Sequence, residues 1–203
     1  DQKSPRPISR AFVQAATECG HPERPDFNTG EHEGAGLYQV TQFHDAARNG
    51  ERCSAAAGYL LPVMGGRSNL RVITGAHATG IVMEGRRATG VAYRHKGADR
   101  RVTARREVIL AAGALVSPQL LMLSGIGPAA EIRRHGLAVV HDLPGVGQNL
   151  QDHLDVILAC KTRDTDNFGI GFAAARRILG HIRRWRHDGT GIIATPFAEG
   201  AAF

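Results

Sequence analysis

The chain reads as an α/β protein, and three features carry that reading. Apolar residues recur at helical spacing over 8–19 and 171–187, short strand-like segments succeed one another between 70 and 104, and a continuous apolar run at 108–111 ends in Ala111-Ala112-Gly113. The expected architecture is a β-meander leading into a strand of a sheet buried on both faces.

Taken in order, residues 8–19 form a helix with Ser9 near its start and Gly20 at its stop. From 21 to 36, Pro, Asn, Asp, Glu and Gly follow one another without a period, the composition of a loop. Residues 54–61 predict a short helix of small residues closed by Pro62, with a turn beginning at Gly65-Gly66. Strands are expected at 70–74, 78–83, 88–95 and 101–104, separated by Gly75, by Gly85-Arg86-Arg87 and by the Lys-Gly-Ala-Asp stretch at 96–99. The last leads into 108–111, whose unbroken apolar character suits a strand buried on both faces. At its tip, Ala111, Ala112 and Gly113 are small enough to let a ligand or another backbone come close. Ser117-Pro118 then reads as the cap and first turn of a helix, 120–123 as its apolar face, and Ser124-Gly125-Ile126-Gly127 as its stop. A further strand is expected at 156–160. The helix at 171–187 sets Phe172, Ala175, Ile178, Leu179, Ile182 and Trp185 near one face and arginines on the other, with Gly180 interrupting the pattern. Packing on a domain is the favoured reading of that helix, and contact with a membrane surface is the alternative.

The segments GALVSPQLLMLSGIG, from Gly113 to Gly127, and LPGVGQNLQDH, from Leu143 to His153, resemble the glucose-methanol-choline (GMC) family of flavin oxidoreductases. The resemblance is strongest toward bacterial choline and alcohol dehydrogenases, and it implies an incomplete FAD/NAD(P)-binding-type fold whose cofactor is FAD. It places Ala111, Ala112 and Gly113 at the FAD site. It also implies that Ala78 meets the adenine ring through main-chain N–H and C=O, beside the plainer reading of an edge-strand residue. The 21–36 loop with Tyr38-Gln39-Val40-Thr41 is similar to a substrate-side stretch of the family, beside the reading of a simple surface connection. The implied domains are a substrate-domain segment at 1–54, the central part of the FAD-binding domain at 55–150, and a further substrate-domain segment from 151 to 203. The implied reaction is oxidation of a primary alcohol, choline or another small or aliphatic one, with an unknown electron acceptor. The family's pyrophosphate loop and catalytic histidine have no counterpart here, so the catalytic residues are expected outside this chain. The opposing expectation is a non-catalytic remnant or interaction-only protein that cannot hold FAD alone.

Other chemistries find little support. Net charge is +6, but the arginine pairs are interspersed with acidic residues, no nucleic-acid motif accompanies them and only 5% of residues are aromatic, so a nucleic-acid partner is not expected. No apolar run approaches the roughly 20 residues of a membrane span. Cys19, Cys53 and Cys160 lie far apart, which argues against a disulfide framework or a zinc site. The first residues, DQKSPRPISR, carry no signal-peptide core. A cytoplasmic location is expected, with the inner-membrane periphery left open for the parent protein. The ten histidines show no metal-ligand spacing, and a packing or hydrogen-bonding role is expected for His153 beside Asp152. No GxSxG elbow appears, so Ser117 and Ser124 are expected to serve as helix-end caps. Two GxGxxA stretches, at 125–130 and 169–174, imitate a dinucleotide fingerprint without the strand-turn-helix context that phosphate binding requires.

Overall fold

A computed structural model describes residues 2–160, 162–163 and 171–203, which divide into two compact units: Asp1–Leu70 with Leu158–Phe203, and Arg71–Ile157. Of the GxGxxA stretch at 169–174, residues 169 and 170 lie outside the described residues, and its last three residues open a helix.

In the first unit, α1 (Pro7–Glu18) begins on a proline whose fixed φ suits a helix start, and it ends just before Gly20 at φ 93°. Strand β1 (Ala35–Leu37) pairs antiparallel with a strand near the other end of the chain, Gly200–Ala202, placing Ala35 opposite Ala202 and Leu37 opposite Gly200. Neither strand was expected, because three residues of mostly Ala and Gly carry no alternation to read. The glycines just before Tyr38-Gln39 have a packing reason: a side chain at Gly34 or Gly36 would run into the main chain of Pro22 or Arg24. Phe27, Tyr38 and Phe203 close this end as three mutually tilted or edge-on rings, with centroids 5.1–6.5 Å apart.

Pro62 does not close its helix. A π-helical turn over Ala56–Leu60 runs directly into α2 (Leu61–Met64), and Leu61 N–H donates to Ala56 C=O. The widened turn stands where the proline ring would otherwise press on the carbonyl four residues back.

The second unit is built on a three-stranded antiparallel meander of β2 (Ala76–Glu84), β3 (Arg87–His95) and β4 (Ala98–Thr103). β4 begins earlier than expected because Lys96-Gly97 alone makes the turn, with both residues at positive φ. The next helix, α3 (Gly113–Leu123), starts ahead of Ser117-Pro118 and carries the proline inside it. Ser117 is therefore not the N-cap, although its hydroxyl accepts the Ala112 N–H at 3.1 Å. After α3 comes a short parallel pair, β5 (Ile126–Gly127) with β6 (His141–Asp142), connected through α4 (Ala129–Arg134). Ile132 of α4 is almost wholly enclosed, and Leu120 of α3 is buried.

Three expected strands are absent. Residues 70–74, 108–111 and 156–160 form none, and Ile109 is 79% exposed. An apolar strand of a parallel sheet is held by main-chain bonds to neighbours on both sides, and among the described residues no strand pairs with these segments.

The last helix, α5 (Phe172–Asp188), stops at Gly189, which adopts φ 71°. Of the residues expected on its packing face, Ile182 and Trp185 are half-buried, and the Trp185 indole N–H donates to Gly50 C=O at 3.4 Å. Phe172, Ala175, Ile178 and Leu179 are exposed. A 3₁₀ turn (Ile192–Ala194) follows, and β7 (Gly200–Ala202) completes the pair with β1.

Just before β7, the buried Glu199 ties the two chain regions together. Its carboxylate accepts the Arg6 main-chain N–H at 2.8 Å, the Ser9 hydroxyl at 2.7 Å and the Arg6 guanidinium at 2.9 Å. It thereby caps α1, whose own N-cap residue offers no side-chain acceptor. Burial pushes the Glu199 carboxyl upward, but the Ser9 hydroxyl, the Arg6 amide and the Arg6 charge outweigh it and hold the group below the ordinary glutamate range. A carboxyl depressed in the folded state stabilises above its unfolded pKa, and that stabilisation is lost as pH falls through the folded value. Glu199→Ala, which removes the acceptor of all three donors, is expected to cost about 3–5 kcal/mol in urea unfolding. Glu199→Gln is expected to flatten the fall in stability that the parent chain shows between about pH 5 and pH 3. A parent-like urea midpoint for the alanine variant would contradict this role.

Candidate functional site

The meander determines which main-chain groups face outward. In a hairpin with a two-residue turn the closing residues, here His95 and Ala98, exchange both hydrogen bonds, and bonded and non-bonded pairs alternate from there. Tyr93, opposite Arg100, falls in a bonded pair again, so its N–H and C=O are committed to β4. Ala78 lies opposite Tyr93 on the other side, and with Tyr93 committed to β4 the alternation makes that a non-bonded pair. Its N–H and C=O therefore point to the outer edge of β2, an edge that no strand covers among the described residues.

The same alternation turns Ile81, opposite Val91, toward that edge, and there its N–H is taken by the Ser124 hydroxyl at 2.7 Å. Ala78 and Ile81 share the edge because a β-bulge intervenes between Ala78 and Gly80. The Ser124 hydroxyl in turn donates to Leu120 C=O at 2.6 Å, so the end of α3 is fastened to the middle of β2. Ala78 lies three residues further along, about 10 Å at strand rise, and is half-buried. Ser124 was read from sequence as a helix stop. Its bond to Ile81 spans 43 residues and leaves no trace in the local pattern.

Ala111, Ala112 and Gly113 lie in the same unit, at the other end of α3, and all three are exposed. Gly113 is the first residue of α3, adopts φ 87°, and has open space where a side chain would begin. Among the described residues no hydrogen bond joins Ala78 to Ala111–Gly113. Their connection runs through α3 and Ser124.

The decoys resolve differently. At 125–130, the Ala129 N–H at the start of α4 is already taken by the Asp142 carboxylate at 2.9 Å, so the chain supplies its own anion there. Asp152 accepts the His153 main-chain N–H at 2.8 Å. Among the described residues no three His, Cys, Asp or Glu side chains gather in a group able to hold a metal, and no helix is long and apolar enough to cross a membrane.

The mixed α/β chain, a meander leading into a glycine-opened helix, shares its fold with FAD-binding oxidoreductases. The GMC oxidoreductase family profile matches residues 1–155, and the chain belongs to that family. It is 44% identical over its whole length to an alcohol dehydrogenase [acceptor] of Pseudomonas putida, covering 36% of that protein. Over 77% of its length it is 47% identical to an oxygen-dependent choline dehydrogenase of Brucella anthropi, covering 27% of that protein. Among solved structures, an FAD-dependent oxidoreductase from Chaetomium thermophilum superposes with a TM-score of 0.79 at 27% identity, over 97% of this chain and 34% of that one. A formate oxidase superposes at 0.76 with 26% identity, over 96% of this chain and 33% of that one. The chain thus spans about a third of the length of the Pseudomonas relative. FAD is the cofactor of this fold.

Ser124→Ala leaves the Ile81 N–H without its acceptor and is expected to destabilise the meander unit by about 1–2 kcal/mol. Hydrogen exchange at the Ile81 amide should quicken accordingly. Unchanged exchange at that amide would show that the fastening lies elsewhere.

Proposed function

We propose that residues 55–150 supply the adenosine-side part of an FAD site, flanked by substrate-domain segments at 1–54 and 151–203, in an enzyme that oxidises a primary alcohol to an aldehyde. The observation that carries this reading is the outward main chain of Ala78. An N–H and a C=O side by side on an open edge match the paired acceptor and donor of an adenine edge, whatever the side chain. Gly113 and the two alanines before it leave room for the cofactor to approach, with no side chain beyond Cβ in the way.

Bound FAD supplies the acceptor for the carbinol hydride, at N5 of the flavin. This chain's part is to position: the edge at Ala78 orients the adenine, Ser124 holds α3 against that edge, and Glu199 fixes α1 to β7 in the other unit. The hydroxyl proton goes to a histidine-centred base outside these residues. The alcohol and choline dehydrogenase relatives support a small or aliphatic alcohol as substrate, choline among them, with a separate electron acceptor. We place the enzyme in the cytoplasm, with access to the periphery of the inner membrane.

The test compares two chains. These 203 residues alone, purified with excess FAD and desalted, are expected to retain little flavin absorption and to turn over no alcohol. A longer chain that adds a strand-linked GxGxxG loop is expected to retain about one flavin per chain. In that longer chain Ala78→Pro removes the outward N–H without breaking the ladder, since an edge proline is tolerated there, and is expected to weaken FAD binding about tenfold, while Ala78→Gly does not. Stoichiometric flavin on the 203 residues alone would contradict the assignment. Absence of flavin from the longer chain would favour a non-catalytic protein.

A further inference from the structure

The outer face of α5 carries residues that nothing among the described residues of the first unit covers. Phe172, Arg176, Leu179, Arg183 and Arg186 are all exposed, Phe172 by 90% and Leu179 by 63%. At about 100° per residue they fall within an arc of about 80°. The opposite side holds the buried Ala174 and the half-buried His181 and Trp185, and that side packs on the unit. The helix is thus two-faced in an unusual sense. Its inward face is held by small and aromatic residues, and its outward stripe alternates large apolar groups with guanidinium groups.

We propose that this stripe is a docking surface for an anionic lipid bilayer. The proposal rests on the peripheral-membrane reading given above and adds the surface and the lipid chemistry. Two features select the occupant. A protein partner covering the stripe would have to desolvate three guanidinium groups at once, which is unfavourable without a matched carboxylate for each. A bilayer interface accepts both kinds of residue together: Phe172 and Leu179 sink below the headgroups, while Arg176, Arg183 and Arg186 reach lipid phosphates, which the guanidinium fork engages in pairs of hydrogen bonds. The charge balance of α5 favours an anionic surface, since its sequence holds five arginines against one aspartate. A nucleic acid would use the arginines but leave Phe172 and Leu179 without a role.

The test is co-sedimentation of the chain with vesicles at about 0.1 M salt, using phosphatidylcholine alone or phosphatidylcholine with about a quarter phosphatidylglycerol. The chain is expected to pellet with the anionic vesicles and to stay in solution with the neutral ones. Replacing Arg176, Arg183 and Arg186 together by Gln should lower the partition coefficient about a hundredfold, at roughly fivefold per arginine. Replacing all three by Lys should retain most of the binding, and this guards against misfolding as the cause. Phe172→Ser with Leu179→Ser should lower binding at least about tenfold. No pelleting with anionic vesicles, equal pelleting with neutral ones, or parent-like binding by the glutamine variant would overturn the proposal. The readout involves no flavin and no alcohol, so its failure is distinct from failure of the FAD assignment.

Discussion

Commitment of the β3 main chain to β4 is the constraint on which the second unit depends. Each residue of an antiparallel ladder sends its N–H and C=O to one side only. Once the tight turn at Lys96-Gly97 sets the pairing of β3 with β4, Tyr93 and Val91 have nothing to offer β2 at those positions. Ala78 and Ile81 must face outward. Ile81 is satisfied by Ser124 from α3, which seats the helix on the sheet edge. Ala78 is left as the place where a ligand with a complementary donor and acceptor can complete the edge.

The first unit is organised by a different interaction, a buried carboxylate shared among three donors. Glu199 sits beside β7 and caps α1, so residues 193 positions apart in the chain are held by one group. The short ladder of β1 with β7 alone fixes three residue pairs. The carboxylate and the ring cluster of Phe27, Tyr38 and Phe203 supply the rest of the closure. Glu199 thus has a structural reason that stands apart from catalysis.

Much of this architecture was legible in the residues because its determinants are local. The period of α1, the glycines bracketing β2 and β3, and the amphipathic pattern of α5 all depend on neighbours within a few positions. What escaped depends on distant partners. The ladder between β1 and β7 joins short Ala-Gly segments that have no pattern of their own. Residues 108–111 have the composition of a central strand, but composition cannot supply the neighbouring strands that would hold them. On α5, apolar spacing grouped Phe172 and Leu179 with Trp185, and only packing against Gly50 separates the inner face from the outer. For the site, the small residues Ala111, Ala112 and Gly113 could be picked out from sequence, and the resemblance pointed to Ala78. The reason for Ala78 is geometric and lies in the pairing of two other strands. Ser124 carries a tie that no spacing rule foreshadows.

The central claim, an outward main chain at Ala78, is tested most directly by residue-resolved amide hydrogen exchange. Ala78 should exchange orders of magnitude faster than Tyr93 in this chain, because one amide lacks a partner and the other lies inside the ladder. In a longer flavin-holding chain, Ala78 should become protected when FAD binds. An Ala78 amide as protected as that of Tyr93 without FAD, or one that FAD leaves unchanged, would contradict the account.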